Sequence, residues 1–360
     1  MTEQEWKLVL ECVSGNAPQR VSPGMIVDSP WIPGYCGVDT VDYYTDGSLW
    51  LSCQDRIRDD FPGLLLFPGD WVEFGMASEP SSFGCSLHFY RDQTVAIGHL
   101  ITSAEDLELL DELTVPDPGR DGLMPLSLSR IRSLRAPLAD RGRKMRMVAS
   151  RGPLNIAGFL MTIPEFCVAV KTDPDRIHRL LDKTTELVIR WLEAQAEAAG
   201  EIGGILVLDD LCGFFSREEY LEFAHPRLKR IFDHFSVPVK MFHNDNFGNR
   251  YTTFPYIADL GVNLFNFSYQ AELREAWELL GPSVAILGSL PPLDLLTRAS
   301  PEEIRSATKA LLRSKPERCS LLLSAGGGAS PGMPGENLAA MMEALDGYCR
   351  ELTAPGGSGR

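Results

Sequence analysis

The chain has 360 residues, with 34 Lys and Arg against 49 Asp and Glu and a formal net charge of −15. A field of that sign repels nucleic acid and anionic membrane surfaces, so neither is an expected partner. The start, MTEQEWKLVLECV, has no basic segment followed by a long apolar core. No later stretch approaches the roughly 20 apolar residues that a membrane helix needs, and a soluble, cytoplasmic protein is expected.

Residues 1–20 read as a surface helix leading into a loop. The segment 21–100 is rich in Pro, Gly, Tyr and Trp. Within it, SPWIPGYCGVDTVDYYTDG (29–47) reads either as a lid over a binding site or as a subdomain packing its own aromatics. WVEFG (71–75) and TVAIGHL (94–100) are strand candidates. A helix capped at Ser103 follows, with Glu105 and Asp106 in its first turn. Residues 114–143 read as a connection or insertion, and RKMRMVASRGP (143–153) as a strand ending at Arg151 and Gly152.

From there the pattern alternates regularly. Thr172 or Asp173 caps a helix with Pro174 in its first turn. Ile177, Leu180, Leu181, Leu187, Val188, Trp191 and Leu192 then keep a 3.6-residue period until Gly200. Five apolar runs end in small, polar or ionisable residues: GGILVLDD (203–210), VPVKMFHND (237–245), GVNLFNFS (261–268), VAILGS (284–289) and SLLLSAGGG (320–328). Ser300, Pro301 and Glu303 form a capping box before the last run. Strands alternating with helices imply a parallel sheet buried on both faces. The expected fold is α/β, a (β/α)8 TIM barrel with an irregular N-terminal extension. Residues 1–100 hold the extension and first strands, 101–350 the remainder, and 351–360 a flexible tail. Counting back from the last run makes the 143–150 segment the third strand.

In such a barrel the chemistry sits where strands end at the C-terminal edge. The candidates there are Asp209, Asp210, His243, Asp245, Asn266, Ser268, Ser289 and Ser324. His243 and Asp245, one residue apart on a strand, can point to the same face. They could share a divalent metal with a third ligand from Asp209, Asp210 or elsewhere, or hold a proton relay; His243 could equally orient Asp245. Of Asp209 and Asp210, one must face the axis and one outward. A carboxylate at an apolar mouth suits general acid or base work, while its neighbour caps a loop. Gly326, Gly327 and Gly328 either present backbone N–H groups to an anion or form a plain turn. Arg151 could clamp a carboxylate or pair with an aspartate. The eight cysteines are scattered without a CxxC pair and read as reduced, and Cys212 reads as a small buried thiol. The remaining histidines, His88, His99, His178, His225 and His234, share no metal spacing and read as structural or exposed.

Several motifs in order carry a resemblance: GPLNIAGFL (152–160), VLDDLCGFFSREEYLEFAHPRLKRIF (207–232), HNDNFGN (243–249), GSLPPLDLLTRASPEEI (288–304) and SAGGGASPGMPGENLAA (324–340). Over about 145–345 the chain resembles the uroporphyrinogen decarboxylase superfamily. That resemblance implies a (β/α)8 barrel, dimerisation through its outer surface, and one of two activities: tetrapyrrole decarboxylation, or methyl transfer to or from a corrinoid that is often carried on a separate protein. The Arg-rich RQAGR-type motif of the decarboxylases is missing. The thiol-directed methyltransferases hold zinc with a His-x-Cys pair and a second Cys in the last glycine turn. Here those positions are His243, Asp245 and Ala325 or Gly326, so the thiolate ligands are absent. HNDN is closer to the HSDGN-like motif of the demethylase branch, which uses oxygen-rich metal sites.

The resemblance therefore implies methyl transfer from a small methylated substrate to a corrinoid (cobalamin) on a partner protein, with zinc as a further candidate. The runner-up is a decarboxylase or lyase of a non-porphyrin carboxylate that uses Arg151. A third reading is a barrel that binds a ligand without turning it over.

Overall fold

The computed structural model describes residues 1–15, 21–27, 31–246 and 250–353. The tail 354–360, residues 16–20 and the end of HNDNFGN lie outside the described residues. Ten strands occur in chain order: β1 (Ser22–Ile26), β2 (Leu65–Phe67), β3 (Ser86–His88), β4 (Ala96–Gly98), β5 (Met147–Arg151), β6 (Gly204–Leu208), β7 (Val239–Asn244), β8 (Leu264–Phe267), β9 (Ala285–Leu290) and β10 (Leu321–Ala325). Eight of them form one parallel sheet in the order β2-β1-β10-β9-β8-β7-β6-β5. The 143–150 segment thus supplies the third strand of that sheet, as its position predicts.

The curled sheet buries both faces. One apolar cluster packs its outer face against the helices. A second cluster fills the interior with Ile26, Phe67, Met147, Ala149, Leu206, Leu208, Met241, Leu264 and Leu287. The helix Glu3–Cys12 belongs to the second cluster. Its Trp6, Val9 and Cys12 are buried while Glu3, Gln4, Lys7 and Glu11 are exposed, so the expected surface helix plugs the interior with one face and meets solvent with the other. Trp6 and Val9, three residues apart, share one face of that helix.

The edge strands β2 and β5 are bridged by side chains. Asp70 pairs with Arg58 at 3.4 Å and with Arg143 at 3.2 Å. Further up, the fully buried Glu79 accepts from the Arg151 backbone N–H at 2.9 Å and from Ser150 Oγ at 3.1 Å. Burial pushes the Glu79 carboxyl up, and the Arg151 charge opposes the shift.

Four expectations change. WVEFG forms no strand; its Glu73 carboxylate instead accepts from the Gly75 N–H in a tight local turn. Residues 96–98 are a strand, but one that pairs antiparallel with β3 in a separate hairpin. After Ser103 comes a short 3-10 turn in which Asp106 accepts from the Ser103 hydroxyl, the reverse of a side-chain cap. The region read as a connection contains the helix Met124–Ala139, whose Leu128, Ile131, Leu134 and Leu138 are buried at helical spacing. The Pro174–Ala199 helix is capped by Asp173, one of the two expected candidates, and buries all seven predicted residues. The capping box at Ser300 is also present.

Candidate functional site at the strand ends

The alternation of side chains along β6 decides between the paired aspartates. Leu206 and Leu208 belong to the interior cluster and Ile205 and Val207 to the outer one, so Asp210 continues the inner set. Asp209 is fully buried and faces the helix Pro153–Leu160. Its carboxylate accepts from the Leu154 N–H at 2.9 Å and the Asn155 N–H at 3.1 Å, two orphan donors of that helix N-terminus. Gly152 is required there, because a Cβ at that position would stand 2.3 Å from Asp209 Oδ2. Asp209 therefore ties the end of β6 to the helix that follows the neighbouring strand β5 and does not reach the mouth.

Asp210 opens onto the mouth and organises it. Its Oδ1 accepts from the Asp245 N–H at 2.7 Å and faces His243 Nε2 at 3.5 Å. Its Oδ2 accepts from Asn155 Nδ2 at 3.3 Å, while Asn155 Oδ1 accepts from the Asp210 and Leu211 N–H groups at 3.0 and 3.1 Å. Asn155 thus clamps the turn after β6 through both ends of its amide.

His243 is buried on β7, and its tautomer follows from its neighbour. Asn266 on β8 donates its Nδ2 to the carbonyls of Leu287 (2.7 Å) and Ala325 (3.1 Å), which turns Oδ1 toward His243 Nδ1 at 2.6 Å. In the neutral ring Nδ1 therefore carries the proton, and Nε2 presents its lone pair toward Asp210. Asp245, two residues on, has its carboxyl pushed up to about 6 by burial, with the His243 charge opposing and that of Asp210 adding to the shift. Its surface opens onto the mouth, yet enough protein surrounds the carboxyl for it to keep its proton to higher pH than an open aspartate would.

These groups border a cavity of about 740 Å³, lined by Asp210, Asp245, Asn246, Asn155, Leu211, Phe214, Phe159, Ile163, Met76 and His99 among others. This volume suits a small organic molecule. His99 and Met76 come from the N-terminal segment. His99 Nδ1 lies 3.0 Å from the Phe159 carbonyl, so it donates there and leaves Nε2 unprotonated in the neutral ring. Neither residue was among the sequence candidates, and nothing in the spacing around them marks a site.

Other candidates lie elsewhere. Arg151 does not line the cavity; it sits at the β2–β5 edge, with Nη2 3.4 Å from the Gly75 carbonyl and its guanidinium 5.6 Å from the Trp71 ring centre. Ser268, Ser289 and Ser324 are buried and outside the lining, and Ser324 Oγ contacts Met25 Sδ at 3.7 Å. Gly326 packs against the Tyr269 backbone. Gly327 has φ +114° and lies so close to Asp245 that a Cβ would stand 2.9 Å from Oδ2. The glycine turn thereby sets the position of Asp245. Cys212 is buried, and burial pushes its thiol well up, so it is no nucleophile. A zinc site needs converging donors. Among the described residues no group of three His, Cys, Asp or Glu side chains is arranged to hold a metal ion, and the described residues thus assemble no zinc-type donor set.

Comparison with known proteins agrees with this architecture. The sequence model of the uroporphyrinogen decarboxylase (URO-D) family matches residues 67–348, and the chain belongs to that family of enzymes. It is 26% identical over 287 residues, 79% of this chain and 72% of the relative, to a methylated-thiol–coenzyme M methyltransferase of Methanosarcina mazei. It is also 26% identical over 271 residues, 73% of each chain, to a uroporphyrinogen decarboxylase of Carboxydothermus hydrogenoformans. A solved methyltransferase from Methanosarcina mazei superposes with a TM-score of 0.77 at 19% identity, covering 95% of this chain and 98% of that one, which establishes a shared fold.

Proposed function

We propose that this enzyme moves a methyl group from a small methylated substrate to a reduced corrinoid presented by a partner protein. The observation that carries the reading is the cavity itself. Its ionisable lining at the strand ends is Asp210 and Asp245, with His243 Nε2 behind them, and its walls are apolar. A cavity of about 740 Å³ holds a small donor but not a complete corrinoid. The acceptor would meet the methyl group at the rim, where Met76, Ile163 and Phe214 are exposed.

When bound, the reduced corrinoid supplies the nucleophile for the methyl carbon. This chain's residues fix the donor and govern the leaving atom. Asp210 and Asp245 hold the polar end, the apolar walls exclude water, and Asn266 keeps His243 Nε2 aimed at Asp210. A leaving atom that departs neutral, because it starts protonated or positively charged, lowers the barrier, and the carboxylates favour that state. The decarboxylase alternative relied on Arg151 to anchor a carboxylate, and the placement of Arg151 beside Glu79 and Trp71 gives it no such support.

The test adds enzyme to cobalamin reduced with titanium(III) and a panel of methyl ethers, thioethers and methylated ammonium compounds, following loss of the reduced-cobalamin absorbance. At least one donor should react, and His243→Ala, which removes the ring held against Asp210, should slow it. If no donor reacts while a carboxylate panel releases carbon dioxide, the decarboxylase reading replaces this one.

A further inference from the structure

Within the methyl-transfer reading, on which this step rests, the charge of the lining narrows the donor. Among the described residues the cavity is lined by two carboxylates and by no Lys or Arg. The nearby Arg151 lies outside the lining, its guanidinium against the Gly75 carbonyl and the Trp71 ring. The walls add Phe159, Phe214 and the Met76 thioether, surfaces that accept a soft cation against their electron-rich faces. Asn155 and the Asp245 N–H fix Asp210 with its charge toward the open side. His243 is buried behind it, with Nε2 3.5 Å from Asp210 Oδ1, which leaves the outer side of the Asp210 carboxylate to a bound group. The chain's net charge of −15 draws cations to the mouth over long range.

We infer that the cavity is built for an onium donor, a quaternary or protonated methylated ammonium or a sulfonium, whose cationic centre lies against Asp210 and Asp245 and between the aromatic walls. The chemistry balances without an added proton. The bond from the methyl carbon to nitrogen or sulfur breaks, its electron pair stays on the heteroatom, and the methyl carbon takes an electron pair from the reduced corrinoid acceptor. The donor leaves as a neutral amine or sulfide, so the carboxylates hold the substrate cation more tightly than the product, which favours release. A carboxylate-bearing substrate would instead meet two acidic groups with no counter-charge.

Three isosteric probes separate charge from shape: choline, 3,3-dimethylbutan-1-ol and 3,3-dimethylbutanoate, titrated calorimetrically into the full chain. Choline should bind at least about 10-fold more tightly than the alcohol, and the butanoate most weakly, in line with a charge-assisted contact in a desolvated site. Asp210→Asn, which keeps an acceptor oxygen and the fold, should bring choline down to the affinity of the alcohol and leave the alcohol unchanged; Asp245→Asn should act in the same direction. Equal affinities, a preference for the butanoate, no detectable choline binding, or a choline preference that survives both substitutions would each overturn the inference. These titrations need no corrinoid. Methylation from an uncharged ether with charge-blind binding would refute the donor class and leave methyl transfer standing. Choline selectivity without methylation of the acceptor would do the reverse.

Discussion

Removing Asn266 should cost both stability and the state of His243. Its amide makes three contacts in a fully buried position: Oδ1 accepts from His243 Nδ1, and Nδ2 donates to the Leu287 and Ala325 carbonyls. Asn266→Ala removes all three at once and leaves no room for bulk water. At about 1–2 kcal/mol for each of the three buried polar groups that lose their partner, the loss is about 3–6 kcal/mol. That is a large part of the 5–15 kcal/mol that holds a typical domain. Asn266→Asp keeps the acceptor for His243 but turns both carbonyl contacts repulsive, so it should retain the tautomer while still losing stability. Urea unfolding reads the first quantity, and long-range ¹H–¹⁵N correlation of ring-labelled histidine reads the second. The alanine variant should show a mixed His243 tautomer and the aspartate variant a fixed Nδ1–H form. Loss of less than about 1 kcal/mol in Asn266→Ala, with the Nδ1–H signal unchanged, would refute the assignment of Asn266 as the residue that orients His243.

Other perturbations separate structural from functional roles. Arg151→Met should destabilise the fold because it removes the charge that opposes the upward shift of the buried Glu79 carboxyl. The double variant Arg151→Met with Glu79→Leu should recover most of that loss in urea unfolding, whereas a substrate-anchoring Arg151 would show intact stability and impaired substrate binding. Gly327→Ala places a Cβ both at a φ of +114° and 2.9 Å from Asp245 Oδ2, so it should lower methyl-transfer activity, while Gly332→Ala, equally strained at a φ of +76° but with nothing within 4 Å of its added methyl, leaves the activity of the folded enzyme unchanged. For Asp245 the folded value of about 6 lies above the ordinary value of about 3.9. The folded state then binds more protons between those values, so stability falls as pH rises from about 4 to about 6 and is level above that. Asp245→Asn should remove that decline from the urea midpoint; parallel pH profiles for variant and wild type would contradict the shift.

The sequence carried the architecture further than the site. The strand ending at Arg151, the five later strands, the long Pro174–Ala199 helix with a cap at Thr172 or Asp173, and the inward series His243 and Asp245 were all readable from periodicity and capping chemistry, whereas β1 and β2 were not. The choice between Asp209 and Asp210 was not, because β6 is buried on both faces and its residues show no alternation of polarity from which to count. The helix Met124–Ala139 was hidden by Arg130, Arg132, Arg135 and an internal Pro137, although its buried leucines keep helical spacing. The plug at Glu3–Cys12 shows a periodic face that fits a surface helix equally well, since periodicity does not say what the face meets. His99 and Met76 reach the cavity only through long-range folding of the N-terminal segment over the strand ends, and no local pattern encodes that.

The central claim is that the cavity at Asp210, Asp245 and His243 transfers methyl groups. It is tested most directly by mass spectrometry of a single-turnover mixture containing the enzyme, reduced cobalamin, perdeuterated tetramethylammonium and anisole carrying a ¹³C-labelled methyl group. The account predicts trideuteromethyl-cobalamin formed by wild-type enzyme from the ammonium donor in preference to the ether, and background levels from Asp210→Asn. Cobalamin that gains no deuterium above the enzyme-free control, or gains it equally with wild type and Asp210→Asn, would contradict it.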